Sequence, residues 1–321
     1  MSCFASVLAF SAIAFHLDAG YDPLRVPKTE PVVKDMTVTD EKRSREIPIK
    51  VYLPTQETPA PVVIFSHGLG GSREGSKFLG VHWAKRGYAA VFLQHPGSDA
   101  GVWKGQPIGD RMSKLKGAAN LEQFKNRVED VPAVLDQLEK WNTEGQPLAK
   151  RLDLKRIGMS GHSFGAVTTQ AVSGQEFPRG RSFTEPRIKA AVVMSPSGPR
   201  NAMPAKTSFG KVSIPWLLMT GTKDDVPIFK LDADTRLAVF PALPNGNKYE
   251  LILKDAEHSV FTDRALPGEK GQRNPKHHPA ILAITTAFWD AYLKDEPAAK
   301  AWLDGDAVKG VLEKEDSWKK K

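Results

Sequence analysis

The chain has 321 residues and a single cysteine, Cys3. One thiol excludes both an intrachain disulfide framework and a thiolate-rich metal site, because each needs several cysteines. Apolar runs of the roughly 20 residues that a membrane helix requires are also missing. Hydrophobic residues nevertheless make up 40% of the chain, enough for a sizeable core. The sequence therefore predicts a globular protein without stable membrane insertion.

The charge of the chain is moderately positive. Its 45 Lys and Arg residues outnumber its 37 Asp and Glu residues, which gives a formal net charge of +8. The basic residues are scattered among acidic ones, and the densest run is 319–321 at the C-terminus. Because no nucleic-acid-binding signature accompanies the charge, we interpret it as a solvated basic surface and expect no nucleic-acid partner.

The first fifteen residues differ from the rest of the chain because they carry no charge. The run is too short to span a bilayer but has the length of a signal-peptide core, and Ala12 and Ala14 supply an A-x-A cleavage site. We therefore predict a signal peptide over residues 1–14, export to the periplasm or beyond, and a mature domain over 15–321. Since the basic residues that open most signal peptides are missing, a cytoplasmic protein with an apolar N-terminus is the alternative.

Short β-branched apolar runs alternate with longer helical patterns along the chain. This alternation is typical of βαβ units around a mostly parallel sheet, and no shift in composition marks a second domain. The patterns predict one α/β domain that opens with an antiparallel pair of strands. The predicted strands are 34–40, 45–53, 61–66, 88–93, 156–161, 189–194, 216–220 and 248–253. The predicted helices are 74–86, 121–141, 166–172 and 279–294.

A G-x-S-x-G motif follows the predicted strand 156–161. Its residues are Gly161, Ser163 and Gly165. In a strand-turn-helix context this motif is a nucleophile elbow, whose glycines allow a turn that exposes the serine hydroxyl. The helix that begins at the serine directs free N–H groups and a partial positive charge towards a developing oxyanion. The motif therefore predicts that Ser163 is a catalytic nucleophile.

A serine nucleophile needs a base, and the base needs an orienting carboxylate. Asp224 and Asp225 follow the strand 216–220, and His258 follows the strand 248–253. These loops lie beyond the carboxyl ends of predicted parallel strands, where ligands bind in open α/β sheets. We predict Asp224 as the acid and His258 as the base. Asp225 is the alternative acid, although it would point the other way in an extended loop.

The oxyanion needs a second donor, which the glycine-rich loop at 66–71 supplies. We assign the two donors as the backbone N–H groups of Leu69 and Phe164. Each such donor is typically worth about 10²–10³ in rate. We expect His67 to support this loop through hydrogen bonds.

Together these motifs resemble the serine members of the α/β-hydrolase superfamily. More narrowly, they resemble bacterial proteins described as predicted dienelactone hydrolases and related to platelet-activating-factor acetylhydrolases. The resemblance extends from residue 32 to the last predicted helix and rests on SHGLGGS at 66–72, Arg127 with Asp130, RIGMSGHSFGA at 156–166, MTGTKDD at 219–225 and AEHSVF at 256–261. True dienelactone hydrolases use a cysteine nucleophile. The serine at position 163 therefore favours ordinary esters as substrates.

The resemblance implies a carboxylic-ester hydrolase that works through an acyl-enzyme and needs neither a metal nor an organic cofactor. A small-molecule ester is the expected partner, and a compact one, since no long lid insertion follows residue 194. Phe164, Trp103 and the loops 197–211 and 227–229 are candidate pocket walls. Lactonase, thioesterase, peptidase and polyester hydrolase activities on the same triad remain alternatives, as does a non-catalytic binding protein with this fold.

Overall fold

A computed structural model of the chain describes residues 20–199, 203–226, 229, 232–266, 269 and 273–321. The predicted signal peptide, residues 1–14, lies outside the described residues, as do residues 200–202 and 227–228 of the predicted pocket walls. The strands within the described part are β1 Val32–Asp40, β2 Arg45–Leu53, β3 Ala60–Ser66, β4 Ala89–Leu93, β5 Leu152–His162, β6 Glu176–Phe177, β7 Arg181–Ser182, β8 Ile188–Met194, β9 Trp216–Lys223, β10 Lys248–Glu257 and β11 Ser317–Lys320. The helices there are α1 Lys77–Lys85, α2 Ile108–Ala118, α3 Leu121–Trp141, α4 Phe164–Val172, α5 Ala205–Phe209, α6 Ala233–Leu237, α7 Val239–Ala242, α8 His277–Leu293 and α9 Pro297–Asp304.

One large sheet organises the fold. Its nine strands within the described residues lie in the order β1-β2-β4-β3-β5-β8-β9-β10-β11. The six strands from β4 to β10 in this order are parallel, while β1, β2 and β11 pair in antiparallel fashion at the two edges. The predicted α/β class, the mostly parallel sheet and the antiparallel opening are thereby confirmed.

Strand β3 explains why the sheet is covered on both sides. All seven of its residues are buried. Val63 and Phe65 pack into one hydrophobic cluster, and Val62 and Ile64 pack into a second one. Alternate side chains of a strand point to opposite faces, so a continuous apolar run requires helices on both faces.

Amphipathic helices supply those two layers. Helices α1, α8 and α9 bury their apolar faces in the first cluster, and α3 and the C-terminal end of α4 bury theirs in the second. The predicted apolar stripe of α3 is buried from Val128 to Leu138, whereas Phe124 is only partly buried. None of the described helices is long and apolar enough to cross a membrane.

The sequence patterns did not reveal the helices α2, α5, α6, α7 and α9 or the strands β6, β7 and β11. Strand β11 contains most of the basic C-terminal run, and its Lys319 Nζ lies 2.9 Å from the buried carboxylate of Glu250. Four residues with two lysines and a single apolar side chain, Trp318, give too little apolar signal, so the strand forms because β10 offers it a free edge. Lysines on an edge strand also hinder further strand addition.

Candidate active site

Ser163 occupies a sharp turn between β5, which ends at His162, and α4, which begins at Phe164. Its backbone has φ 59° and ψ −114°, a region that non-glycine residues rarely adopt and that costs about 1–3 kcal/mol. The motif glycines make this turn possible. A Cβ on Gly165 would lie 1.8 Å from the carbonyl oxygen of Ser66, and one on Gly161 would lie 2.4 Å from the carbonyl oxygen of Gly165.

Ser163, His258 and Asp224 form one continuous chain of hydrogen bonds. Ser163 Oγ lies 2.9 Å from His258 Nε2, and His258 Nδ1 lies 2.5 Å from Asp224 Oδ1. Asp224 directly follows β9 and His258 directly follows β10, so parallel neighbouring strands bring the two loops together. With Nδ1–H donated to the carboxylate, Nε2 is free to accept the serine proton.

The two neighbouring aspartates point in different directions. Asp224 is fully buried, whereas Asp225 is exposed and accepts a hydrogen bond from the backbone N–H of Ala233 at 3.0 Å. Asp224 also accepts hydrogen bonds from the hydroxyls of Ser195 at 2.7 Å and Thr220 at 2.9 Å, both on Oδ2. The geometry therefore brings Asp224, and not Asp225, to the candidate base.

Arg236 on α6 is a charged partner that the sequence patterns did not indicate. Its side chain is 2% exposed, and its Nε lies 2.9 Å from Asp224 Oδ1 and 2.7 Å from the Asp224 carbonyl oxygen. Its Nη1 donates to the carbonyl oxygen of Ser195 at 3.0 Å. Burial by itself would raise the pKa of Asp224, but the hydrogen bond and charge of His258, and then the charge of Arg236, lower it. The carboxylate therefore stays ionised.

Sequence could have revealed part of this set. Ser195 and Thr220 lie at the carboxyl ends of apolar strands, where a polar residue is unusual and indicates a ligand or a partner. Arg236 carries no comparable signal, because it lies in a short helix whose charged sequence predicts solvent exposure.

His162 contacts the candidate base, His258, through a hydrogen bond and a ring contact. Its Nε2–H donates to the carbonyl oxygen of His258 at 2.9 Å, and the centroids of the two rings are 4.6 Å apart. Burial, and then the charge of His258, holds the pKa of His162 well below its usual value. A neutral imidazole therefore packs beside His258 and holds its backbone in place.

The loop after β3 is oriented by its carbonyl groups. The carbonyl oxygen of Gly68 accepts hydrogen bonds from His67 Nδ1 at 2.6 Å and from the N–H of Gly71 at 3.0 Å, with Arg127 Nη2 at 3.4 Å. In a planar trans peptide the next N–H points the opposite way. That N–H belongs to Leu69, which lines one pocket with Ser163, so its placement fits the predicted donor.

The second predicted donor, the N–H of Phe164, is at the first position of α4. The first N–H groups of a helix have no intrahelical acceptor, so this one is available to a ligand. Both predicted donors are thus adjacent to the nucleophile, one from each side of the pocket. Their role in stabilising an oxyanion stays a prediction.

Beneath the loop lies a second serine-histidine-aspartate series. Ser66 Oγ is 2.9 Å from His95 Nε2, and His95 Nδ1 is 2.9 Å from Asp130 Oδ2. All three side chains are 0% exposed, so no substrate reaches them. Burial by itself would raise the pKa of Asp130, but hydrogen bonds from His95 and Arg45 lower it to about 2. The series therefore has a structural role beneath the loop.

His67 and His95 are linked directly within this layer. The backbone N–H of His95 donates to His67 Nε2 at 3.1 Å. His67 thus supports the loop by hydrogen bonds, as predicted. Burial, and then the charge of Arg127, lowers the pKa of both histidines, that of His95 to about 4. Both rings are therefore neutral near pH 7.

Only some of the candidate pocket walls line the pocket at Ser163. Phe164, Ser197 and Phe229 line a small pocket of about 40 Å³ at Ser163. Trp103 instead donates its indole N–H to the carbonyl oxygen of Gly70 at 2.8 Å and packs on the loop after β3. A larger cleft, about 500 Å³, lies at the opposite end of β3 and is not lined by the triad.

Comparison with known proteins adds no family assignment to this geometry. No protein-family model matches the chain, and no curated protein matches it. The structure establishes an α/β fold with a mostly parallel central sheet, which is compatible with the hydrolase fold that the motifs resemble.

Proposed function

We propose that the chain is a serine carboxylic-ester hydrolase of the α/β-hydrolase superfamily. The observation that carries the proposal is the hydrogen-bonded series from Ser163 through His258 to Asp224 at the carboxyl edge of the parallel sheet. A strained elbow at the serine and two backbone N–H groups beside it complete the parts that acyl transfer requires.

In this proposal Ser163 Oγ attacks the ester carbonyl carbon while His258 Nε2 takes the hydroxyl proton. The tetrahedral oxyanion accepts hydrogen bonds from the N–H groups of Leu69 and Phe164. His258 then gives the proton to the leaving alcohol, and Asp224 stabilises the imidazolium throughout. Water, activated by the same histidine, repeats the sequence on the acyl-enzyme and releases the acid.

The test of this proposal compares wild-type protein with Ser163→Ala. We expect wild-type protein to hydrolyse p-nitrophenyl acetate and to be labelled by a fluorophosphonate, and Ser163→Ala to lose both reactions. Because alanine keeps the Cβ of serine and loses only the hydroxyl, the variant should remain folded, which circular dichroism checks. Hydrolysis by Ser163→Ala at a rate close to wild type would contradict the assignment of the nucleophile.

Lactones, thioesters and amides react through the same chemistry, so a substrate panel of these compounds decides between the esterase and its alternatives. Export is a separate proposal, carried by the uncharged segment at residues 1–14. N-terminal sequencing of protein from native cells should then give a chain that starts near residue 15. A chain that retains Met1 would contradict export.

A further inference from the structure

A cavity of about 270 Å³ adjoins the pocket at the nucleophile. The two share Ala119, Phe164, Val167 and Ser197 as wall residues. The wall of the larger cavity continues along α4 to Gln170. Since a helix rises 1.5 Å per residue, the cavity extends about 10 Å from Ser163. A substrate group that enters it would thus remain connected to a carbonyl at the serine.

The lining of this cavity is mainly apolar but contains an unpaired hydroxyl. Phe124 and Phe177 contribute aromatic walls. Ser208 also lines the cavity, is 1% exposed, and its buried Oγ has no hydrogen-bond partner among the described residues. Buried polar groups are almost always hydrogen-bonded, so an unpaired hydroxyl in a cavity wall indicates a water molecule or a ligand group that completes it.

The position of the cavity indicates which half of an ester it would hold. The leaving alcohol takes its proton from His258 Nε2 and therefore lies on the side of that residue. The described wall residues of the cavity do not include His258 or any residue of β10. They lie instead beside Phe164, whose N–H faces the carbonyl oxygen in the proposed mechanism. The acyl half is consequently the part that extends into the cavity.

The charge of the wall restricts the far end of that acyl group. Glu176 lines the cavity, and its carboxylate forms an ion pair with Lys211 at 2.9 Å. An anionic group on the substrate would be repelled by this carboxylate. Ser208, in contrast, can donate to or accept from a neutral polar group.

We propose that this cavity is an acyl-binding pocket for a compact, mainly apolar acyl chain that carries a neutral hydrogen-bonding group, such as a hydroxyl, at its far end near Ser208. The inference rests on the proposed esterase function. It adds a substrate class to that function: esters of short to medium hydroxy-substituted fatty acids or acids of similar polarity. A cavity at the lower limit of ordinary ligand pockets, about 300 Å³, suits such a chain better than a long fatty acid.

The first experiment narrows the cavity with Val167→Phe. Two substrate series are measured, p-nitrophenyl esters from acetate to octanoate and acetate esters of alcohols of increasing length. We expect the octanoate-to-acetate ratio of kcat/KM to fall at least about tenfold in the variant, because the added ring occupies the path of the chain. The profile of the alcohol series should keep its wild-type shape. A change confined to the alcohol series would overturn the assignment to the acyl half.

The second experiment removes the unpaired hydroxyl with Ser208→Ala. The probes are p-nitrophenyl esters of ω-hydroxy acids with four to eight carbons and their unsubstituted counterparts. For the best hydroxy ester, the ratio of its kcat/KM to that of its counterpart should fall by roughly 3- to 10-fold, the effect of one neutral hydrogen bond. Ser213→Ala, an exposed serine in the same segment, is the matched control and should leave the ratio unchanged. An unchanged ratio in Ser208→Ala would remove Ser208 from the proposal.

Fluorophosphonate labelling separates the failure of this inference from failure of the esterase itself. Wild-type protein that is neither labelled nor active on any ester contradicts the proposed function. Wild-type protein that is labelled and hydrolyses acetate, while Val167→Phe leaves the acyl-length profile unchanged, contradicts only the acyl pocket. Labelled protein that hydrolyses alcohol acetates but none of the longer acyl esters contradicts the acyl pocket as well.

Discussion

The guanidinium of Arg127 lies 4.4 Å from the centre of the Phe164 ring. The same side chain donates to the carbonyl oxygen of His67 at 2.6 Å. Arg127 is fully buried, which lowers its pKa to about 9, so it stays charged at neutral pH. One cation thus contacts both segments that supply the predicted oxyanion donors, since Leu69 follows His67 by two residues and Phe164 carries the other N–H. A cation over an aromatic ring contributes about 0.5–2 kcal/mol, more when desolvated.

Replacing Arg127 should therefore lower kcat more than it changes KM. Arg127→Met leaves the loop carbonyls without their donor, so the loop loses the orientation that aims the Leu69 N–H. We expect a loss of about 10²-fold in kcat on p-nitrophenyl acetate, comparable to the loss of one oxyanion donor. Lys125→Met is the control, because Lys125 is on the same helix with its side chain 66% exposed. A folded Arg127→Met variant with wild-type kcat would show that the arginine acts on stability alone.

The two aspartates after β9 should differ sharply in their effect on rate. Asp224→Asn removes the carboxylate that fixes the His258 tautomer, so kcat should fall by about 10⁴-fold. Asp225→Asn alters only an exposed side chain bonded to the N–H of Ala233, and kcat should stay near wild type. The measurement is kcat of each variant on a single substrate, compared with wild-type protein at the same concentration. Fluorophosphonate titration gives the concentration of active sites in the wild-type reference. A larger loss in Asp225→Asn would reverse the assignment of the acid.

Gly165→Ala should prevent the elbow from forming. The added Cβ would lie 1.8 Å from the carbonyl oxygen of Ser66 and 2.9 Å from that of His67, and both are backbone atoms that cannot move independently. We expect a loss of about 3 kcal/mol or more in the free energy of unfolding, measured by urea titration. Gly109→Ala is the matched control, since a Cβ there meets nothing within 4 Å. Equal stability of Gly165→Ala and wild type would contradict the close approach of α4 to β3.

The stability of the protein should fall on mild acidification. His67, His95 and His162 are buried, and burial lowers the pKa of each below the ordinary value of 6.5. Below pH 6.5 the unfolded chain takes up protons that these folded rings do not. The free energy of unfolding therefore has its full value above pH 6.5 and falls as the pH drops towards the pKa values of the folded rings. The expected slope is about 1 kcal/mol per pH unit for each histidine.

Urea titrations from about pH 7.5 to about pH 5 give the free energy of unfolding at each pH, and therefore this slope. His95→Gln is the comparison. Because glutamine takes up no proton, the slope in this variant should be smaller by the contribution of one histidine. A stability that rises as the pH falls through this window would contradict the burial of neutral imidazoles.

Much of the fold could be predicted because its signals are local. Helix α3 was predicted from residue 121 to 141 with its observed bounds, since its apolar stripe repeats at helical spacing over five turns. Strand β3 was predicted at 61–66, one residue shorter than the observed strand, because these residues form a continuous apolar run. Helix α2 gave no such signal, as Ile108 and Met112 on it are exposed and apolar residues are too few to mark a face.

The buried histidines show where local sequence patterns give no guidance. His95 lies just after strand β4, at the edge of the sheet where ligands bind in open α/β folds, yet its ring is fully buried between Ser66 and Asp130. His277 and His278 lie at the start of helix α8, in a polar stretch of sequence that would suit an exposed helix end. His277 is 4% exposed, and His278 stacks on Phe78 with ring centroids 3.9 Å apart. A polar side chain is buried when distant segments supply its partners, and those segments are not visible in a local pattern.

By itself the sequence determined the alternation of strands and helices, the position of the elbow at Ser163 and the order of serine, acid and histidine along the chain. These features depend on neighbouring residues: apolar periodicity, glycines that permit a turn, and polar residues just after strands. Only the tertiary structure placed Asp224, and not Asp225, within hydrogen-bond distance of His258, brought buried Arg236 against Asp224, and formed the cavity that Ser208 lines. Each of these depends on contacts between segments far apart in the chain, which exist only once the parallel strands of the sheet have aligned their carboxyl ends.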